Sequence, residues 1–306
     1  LFNDAALNGA AAAAKMLAAG RRLGVEGDPR PRAGGRHFSD TGLIVWHGAP
    51  WSVFFDAGDV GPDVQPGHAH ADTLSLECSF RGRRLFVDPG TCAYDRDARR
   101  RYDRSTAAHN TVTIDGRDSS EVWHIFRVGA RALPRDVRAV FTPAGLVAMA
   151  AHDGYETLRG RVRHRRTVVV EGNELRIVDR ITGAGEHLVE GGWLLAPEWR
   201  AAAVASGWVL SGGNAGPACR EGLGLVSTTP PVGPSIPPGR RDVLGRVRLS
   251  IAGPHDLQLA ARPAAYHPEF GRELTTTRLG WRYFGRLPIE VTTVCDSAGA
   301  APEQGR

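Results

Sequence analysis

The sequence predicts a mainly β protein: a large antiparallel β-sandwich preceded by a short N-terminal helical segment. From His37 onward, apolar residues alternate with polar ones in many short runs, as expected for strands with one buried face. Turn residues separate these runs, and the 306 residues include 38 glycines and 20 prolines. Helical periodicity is nearly absent after residue 36, apart from a short segment around 96–104. Many short strands joined by turns are typical of a sandwich.

The helical segment is predicted over residues 1–24. It is rich in alanine and ends at Gly24, a residue that commonly terminates helices. A stretch rich in Gly and Pro follows over 26–35 and is interpreted as a linker. We therefore divide the chain into residues 1–36, the helical segment and linker, and residues 37–306, the sandwich.

The clearest strands lie at 74–80, where every second residue is apolar, and at 167–170 and 175–178. The last two flank the turn-type sequence EGNE, which predicts a β-hairpin. The arginine-rich stretch 159–166 also alternates as a strand. Because it lacks interleaved aromatic residues, we interpret it as an exposed strand face and not as a nucleic-acid site. A high content of Gly, Pro and Ser predicts a long surface loop over 212–240.

The composition excludes several classes of protein. Hydrophobic residues make up 42% and charged residues 23%, which allows a sizeable core and argues against global disorder. No apolar run approaches the ~18 residues of a membrane helix. The net charge of +5 permits an acidic partner but selects none, although 37 of the 38 basic residues are arginine. None of the four cysteines forms a CxxC pair, which argues against a thiolate zinc site.

Metal-binding side chains are concentrated in Gly67-His-Ala-His-Ala-Asp72, immediately before a strand. The next strand ends at Asp88, and the following one opens at His109. Since neighbouring antiparallel strands bring such ends together, His70, Asp88 and His109 are predicted to share one end of a sheet. Two imidazoles and one carboxylate leave a coordination position open on a divalent ion, usually zinc. The alternative is that the histidines are turn residues and Asp88 caps a loop.

Cupins also place a His-x-His motif on a β-barrel. They usually have a glutamate three or four residues after the second histidine, where this chain has Leu74 and Ser75. The nearest glutamate is Glu77. A cupin-like metal enzyme therefore stays open as an alternative with weaker support.

Three ordered motifs in this region resemble the C-terminal domain of the heparinase II/III-like polysaccharide lyases. They are GHAHADTLSLE at 67–77, LFVDPGTCAY at 85–94 and RYDRSTAAHNTV at 101–112. The following DGRDSSE, at 115–121, fits the same pattern. The close match covers roughly residues 40–130, and beyond it only the β-rich character agrees.

The resemblance implies a two-part enzyme, in which an N-terminal α/α toroid carries a substrate cleft and a C-terminal sandwich packs against it. Residues 1–36 would then be the end of the toroid, and the chain a piece of a longer protein. The resemblance assigns a catalytic role to His68 and metal binding to His70, Asp88 and His109. The family's tyrosine acid/base and its uronate neutraliser would lie on the toroid, which this chain lacks.

The implied reaction is β-elimination: a base removes the C5 proton of a uronic acid, and the 4-O-linked sugar is expelled. We expect the metal to be structural, because it would fix the loop that presents His68. Asp72 is a candidate for orienting an imidazole N–H beside the metal. Arg104 and Asn110 are candidates for sugar contacts; the alternatives are a solvated arginine and a strand cap.

The leading hypothesis is a lyase acting on an acidic, uronate-containing polysaccharide, with this chain as its C-terminal domain. We expect the substrate and the toroid as partners, no nucleic acid and no membrane span, and a periplasmic or secreted location. The chain alone is expected to be inactive. The alternative from another class is a non-catalytic carbohydrate-binding or structural module that keeps the metal site.

Overall fold

The structure, a computed structural model, describes residues 2–7, 13–25, 33–96, 98–212 and 245–297. Two α-helices are present in these ranges, α1 (Ala13–Arg22) and α2 (Ala98–Asp103), together with 3-10 turns at Pro66–His68 and Thr106–Ala108. The strands in the first half are β1 (Gly34–Phe38), β2 (Leu43–His47), β3 (Trp51–Asp56), β4 (Leu76–Phe80), β5 (Arg83–Phe86), β6 (Val112–Ile114), β7 (Val122–Trp123), β8 (Arg127–Val128), β9 (Pro134–Thr142) and β10 (Gly145–His152). Those in the second half are β11 (Arg163–Glu171), β12 (Glu174–Thr182), β13 (Glu186–Leu194), β14 (Trp199–Val204), β15 (Gly207–Gly212), β16 (Arg246–Ala252), β17 (Gln258–Glu269), β18 (Arg272–Arg286) and β19 (Ile289–Asp296).

The strands form antiparallel sheets, which confirms the predicted fold class. A five-stranded sheet runs in the order β1-β2-β3-β4-β5, and an eight-stranded sheet in the order β14-β15-β16-β19-β12-β11-β10-β9. A four-stranded sheet has the order β17-β18-β13-β6, and β7 and β8 form a separate pair. The predicted hairpin is β11–β12, which closes with Glu171 opposite Glu174. No helix in the described ranges is long and apolar enough to cross a membrane.

The core lies where the sheets meet. Trp193 on β13 is fully buried and stacks on Phe86 of β5, with ring centroids 5.0 Å apart. Its indole N–H donates to Thr293 on β19 at 3.2 Å, which joins the four-stranded sheet to the eight-stranded one. Cys78 is buried in the same core, as its alternating strand predicts. A fully buried aromatic whose polar group is satisfied is a strong contributor to packing.

The N-terminal helix is shorter than predicted. Within the predicted 1–24, the described helical residues are Ala13–Arg22, and residues 2–7 are not helical. Asn3 has a φ of 58°, outside the right-handed helical region, and its side chain accepts a hydrogen bond from the backbone N–H of His70 at 2.9 Å. A tertiary contact therefore replaces the helical conformation at the start of the chain.

The arginine-rich strand is only partly an exposed face. Arg163 and Arg165 are exposed, as predicted, but Arg166 is fully buried and pairs with Asp179. The predicted exposed face was wrong at Arg166, because its guanidinium also donates to the backbone carbonyls of Leu74 and Asn110. The predicted loop over 212–240 lies outside the described residues, except for its first residue.

Candidate metal centre and active site

Four buried ligand-type side chains lie at one end of the five-stranded sheet. His70 and Asp72 precede β4, and Asp88 follows β5, the antiparallel neighbour of β4. His109 lies between the 3-10 turn Thr106–Ala108 and β6. All four are at most 3% exposed. The predicted meeting of strand ends holds for β4 and β5, but it was wrong for His109, because β6 is a strand of the four-stranded sheet and pairs with β13.

Asn110 fixes the backbone around these residues. Its amide N–H groups donate to the carbonyls of Leu76 and Val87, at 2.9 and 3.0 Å, and its Oδ1 accepts from Leu194 N–H at 2.7 Å. Thr111 adds a hydrogen bond to the carbonyl of Thr73 at 2.9 Å. Buried side chains that satisfy backbone groups in this way stabilise the local geometry.

Asp72, Asp88 and His109 form the tightest candidate metal-binding group in the described residues. Each offers one ligand atom, and these atoms lie within 4.8 Å of one another. His109 Nδ1 is 2.7 Å from Asp88 Oδ2. His109 Nε2 and Asp72 Oδ2 are buried without a hydrogen-bond partner. Buried polar atoms without partners are rare and costly, so this pattern fits the binding of a cation.

The pKa values of the carboxyl groups in this cluster also favour the binding of a cation. Burial, together with the nearby carboxylate of Asp72, raises the pKa of Asp56 to about 8. Burial also raises the pKa of Asp72. Against the effect of burial, the charge and hydrogen bond of His109 hold the pKa of Asp88 below its usual range. Three neighbouring carboxyl groups thus share too little positive charge for all to ionise easily.

His70 lies beside this group, with its ring centroid 5.2 Å from that of His109. Its Nε2 is 2.8 Å from Asp4 Oδ1, while its Nδ1 is buried without a partner. The structure thus groups two of the predicted ligands, Asp88 and His109, with Asp72, which was expected to orient an imidazole N–H, and places His70 beside this group. Which of these four side chains bind an ion stays a prediction.

Asp4 is the site residue that sequence reasoning missed. Its carboxylate lies 2.9 Å from His68 Nδ1 and 2.8 Å from His70 Nε2, accepts from Thr91 Oγ1 at 2.9 Å, and pairs with the buried Arg100. Burial disfavours its charge, but the hydrogen bonds of His70 and Arg100 outweigh burial and hold the pKa of Asp4 well below its usual range. Asp4 has no motif around it, and only the fold brings it to the histidines.

His68 is the exposed member of the site, with 57% of its side chain accessible. Its Nδ1–H donates to Asp4, and Nε2 has no hydrogen-bond partner within the described ranges. The ring is flanked by Tyr94 and Phe126, at centroid distances of 5.8 and 5.3 Å. Phe270 packs on Tyr94 at 5.0 Å. A carboxylate on Nδ1 fixes the tautomer that leaves Nε2 free to accept a proton.

The two predicted sugar-binding residues are both buried. The Arg104 guanidinium donates to the backbone carbonyls of Ala69, Trp123 and His124, and Asn110 holds strand ends as described above. Burial, with the nearby charge of Arg100, lowers the pKa of Arg104 to about 10. The observed contacts of Arg104 and Asn110 are structural, because no polar atom of either reaches the surface beside His68. Sugar contact by these two residues stays a prediction without support from their positions.

Fold and site together define an antiparallel β-sandwich domain that presents a histidine beside a buried His–Asp cluster. The chain belongs to the heparinase II/III-like family, since the family model for the heparinase II/III-like C-terminal domain matches residues 30–293. This family relates the chain to polysaccharide lyases. A search of curated proteins finds no significant match.

Solved structures share this fold. The heparan sulfate lyase HepC from Pedobacter heparinus superimposes with a TM-score of 0.68 at 14% identity, covering 99% of this chain and 44% of HepC. A heparinase III gives a TM-score of 0.67 at 16% identity, covering 98% of this chain and 44% of that protein. The chain thus spans less than half the length of these lyases. At such identities the likeness shows the fold alone.

Proposed function

We propose that the chain is the C-terminal domain of a lyase that cleaves an acidic, uronate-containing polysaccharide by β-elimination. One observation carries the proposal: His68 is held by Asp4 at the surface of a heparinase-like sandwich, with Nε2 free. An imidazole oriented by a carboxylate is a common general base. We also propose a periplasmic or secreted location.

In the proposed step, His68 Nε2 takes the proton from C5 of the uronate. The electrons of that C–H bond form a C4–C5 double bond, the C4–O bond breaks, and an acid protonates the leaving oxygen. Asp4 stabilises the imidazolium that forms, because its carboxylate stays ionised. The acid and the group that neutralises the uronate are proposed to lie on the toroid.

The buried cluster fits a divalent ion, for which we propose zinc. His109 Nε2, His70 Nδ1 and Asp72 Oδ2 are buried atoms without partners, and Asp88 adds a carboxylate. Nitrogen and carboxylate oxygen are suitable ligands for zinc. When bound, the ion would neutralise the carboxylates and hold the strand ends that carry the His68 loop. We assign it a structural role and route no step of the elimination through it.

A second candidate function is carbohydrate binding without catalysis. The exposed aromatic rings beside His68 favour it, since Tyr94, Phe126 and Phe270 are each at least 36% exposed. Aromatic faces are suitable surfaces for stacking on sugar rings. The two functions differ in whether covalent change accompanies binding.

The test is an ultraviolet absorbance assay for the unsaturated uronate product on heparan sulfate, alginate and hyaluronan. We expect the 306-residue chain alone to be inactive and the protein with its toroid to be active. His68→Ala should then lower kcat by about 10²–10⁴-fold, and Asp4→Asn should lower it in the same direction. His255→Ala is the control, because His255 is fully exposed and Asp256 is its one ion-pair or hydrogen-bond partner among the described residues.

Activity of the toroid-containing protein that survives His68→Ala would overturn the assignment of the base. Steady product formation by the chain alone, abolished by His68→Ala, would show that the sandwich holds the whole active site. Binding of polysaccharide without any product, with the toroid present, would favour the carbohydrate-binding module.

A further inference from the structure

A groove crosses the four-stranded sheet on the face opposite the core. Leu279 and Trp281 of β18 point into the core, so Gly280 between them faces outward. Ala260 on β17 and Gly192 on β13 both pair with Gly280. Gly280 and Ala260 line the cavity and form its floor, because neither carries a side chain larger than a methyl group, whereas Gly192 is buried beside them.

Arginines border this floor. Arg262 on β17 lies directly opposite Arg278 on β18, on one side of the glycine row. On the other side, Arg282 lies between Gln258 and Glu190. Residues four apart on one strand are about 13 Å apart, so the borders leave room for a sugar ring between them. The cavity has a volume of about 380 Å³, within the range of small-ligand sites.

The positive charge of the groove is poorly compensated. Like charges directly opposite on neighbouring strands are destabilising, yet Arg262 and Arg278 are placed in this way. Arg278 donates to the carbonyls of Ala108 and His109, at 3.0 and 2.6 Å, but Arg262 is exposed and has no ion-pair partner in the described ranges. Arg282 has only a 4.0 Å contact with Glu190. Three arginines and one glutamate thus line the cavity.

We propose that this groove binds an anionic unit, carboxylated or sulfated, of an acidic polysaccharide. Guanidinium groups pair bidentately with carboxylate and sulfate oxygens. Tyr102 and Thr113 add hydroxyl groups at the lining, and Tyr102 is 43% exposed. The choice of a polysaccharide rests on the proposed function, whereas the preference for an anion rests on the charges of the groove.

The groove can be blocked without removing charge. An ideal Cβ at Gly280 would lie 3.5 Å from Gly191 O and 3.8 Å from Ala260 O, which are ordinary contacts. Gly280→Leu should therefore fold and fill the groove. In contrast, a Cβ at Gly192 would lie 2.6 Å from Leu279 O, so that position is unsuitable for the test.

The experiment measures binding of a size-defined heparin oligosaccharide to the 306-residue chain by calorimetry, in the His68→Ala background to prevent cleavage. We expect Arg262→Gln with Arg282→Gln, and separately Gly280→Leu, each to raise Kd by about tenfold or more. Two arginine controls on the eight-stranded sheet, Arg248→Gln and Arg180→Gln, should together leave Kd within about twofold. Neutral dextran should not bind.

Unchanged affinity in the double-arginine variant or in Gly280→Leu would overturn the groove. So would an equal loss in the control pair, because it would show binding by net charge alone. Binding that depends on the groove, in a toroid-containing protein that forms no product, would uphold the groove and reject the lyase. Product formation with a KM unaffected by the groove variants would uphold the lyase and reject the groove.

Discussion

Two buried histidine clusters of this protein differ in whether every ring nitrogen has a hydrogen-bond partner. In the cluster of His152, His164, Arg166 and Asp179, Gly154 N–H donates to His152 Nδ1 at 3.2 Å, and His152 Nε2 contacts His164 Nδ1 at 3.3 Å. His164 Nε2 then lies 2.7 Å from Asp179, which also accepts two hydrogen bonds from Arg166. Every ring nitrogen is used, and one carboxylate faces one guanidinium. We call this the closed cluster.

The open cluster is that of His70, Asp72, Asp88 and His109. There, ring nitrogens and a carboxylate oxygen lack partners, and the neighbouring Asp56 adds another carboxyl group, whose pKa burial raises to about 8. Burial lowers the pKa of both His152 and His164, which suits a closed cluster of neutral imidazoles. The comparison teaches that buried histidines alone do not identify a ligand site. Unpartnered atoms and an excess of carboxylates do.

The largest effect is expected from the same substitution made in each cluster. Asp179→Asn leaves the buried Arg166 without its counter-charge and should lower the free energy of unfolding by about 3–5 kcal/mol. Asp72→Asn, in the presence of chelator, should lower it by less than about 1 kcal/mol, because Asp72 Oδ2 has no partner to lose. Urea unfolding of both variants measures the difference. Equal losses in the free energy of unfolding would mean that Asp72, like Asp179, has partners that stabilise the folded state.

Zinc should separate the clusters next. After chelation, zinc at about 100 times its Kd should raise the free energy of unfolding of the wild type by about 2.7 kcal/mol. His109→Ala should abolish this increment, since it removes the unpartnered Nε2. His164→Ala should lower stability but keep the increment. A melting curve of the wild type that zinc leaves unmoved would contradict the metal centre.

The third difference between the clusters is a pair of opposite pH slopes in metal-free protein. The pKa of Asp56 is raised from 3.8 to about 8, so the folded state holds its proton more tightly, and stability falls as pH rises between about 4 and 8. The pKa of Asp179 is lowered to about 2, mainly by Arg166 acting against burial, so its stabilising contribution is lost as pH falls from about 4 towards 2.

Asp56→Asn isolates the first of these slopes. The variant should lose stability less steeply than the wild type as pH rises from about 4 to 8, while its acid limb stays as in the wild type. Denaturant midpoints across the pH range provide the measurement. A variant whose midpoints change with pH as steeply as those of the wild type would contradict the raised pKa of Asp56.

Much of the open cluster could be predicted because it follows from strand adjacency. His70 and Asp88 flank β4 and β5, whose ends antiparallel pairing brings together. His109 precedes β6 of the four-stranded sheet, so only the family motifs group it with the other two. Arg104 could not be placed in this way, since the sequence does not say whether an arginine in an arginine-rich chain points outward. Its burial depends on three carbonyls from two distant segments.

The closed cluster also contains an arginine, Arg166, whose burial the sequence pattern does not predict. Arg166 lies in a strand whose alternation fits an exposed basic face, and its burial arises from Asp179 on the neighbouring strand and from loop carbonyls. Such contacts join residues far apart in sequence, so no local pattern reports them. Alternation predicts which residues lie on the same face of a strand, but it does not predict whether a charged residue on that face is buried.

The position of Asp4 has a practical consequence for dividing the gene. A boundary drawn at 36/37, where the composition changes, separates the sandwich from the carboxylate that holds His68 and His70. A recombinant sandwich starting at residue 37 would keep the histidines and lose their anchor, together with the hydrogen bond from Leu7 N–H to Pro268 O. Its His68 ring would then lose the carboxylate that favours the tautomer with the proton on Nδ1. Expression clones intended to report on the site should therefore begin upstream of Asn3.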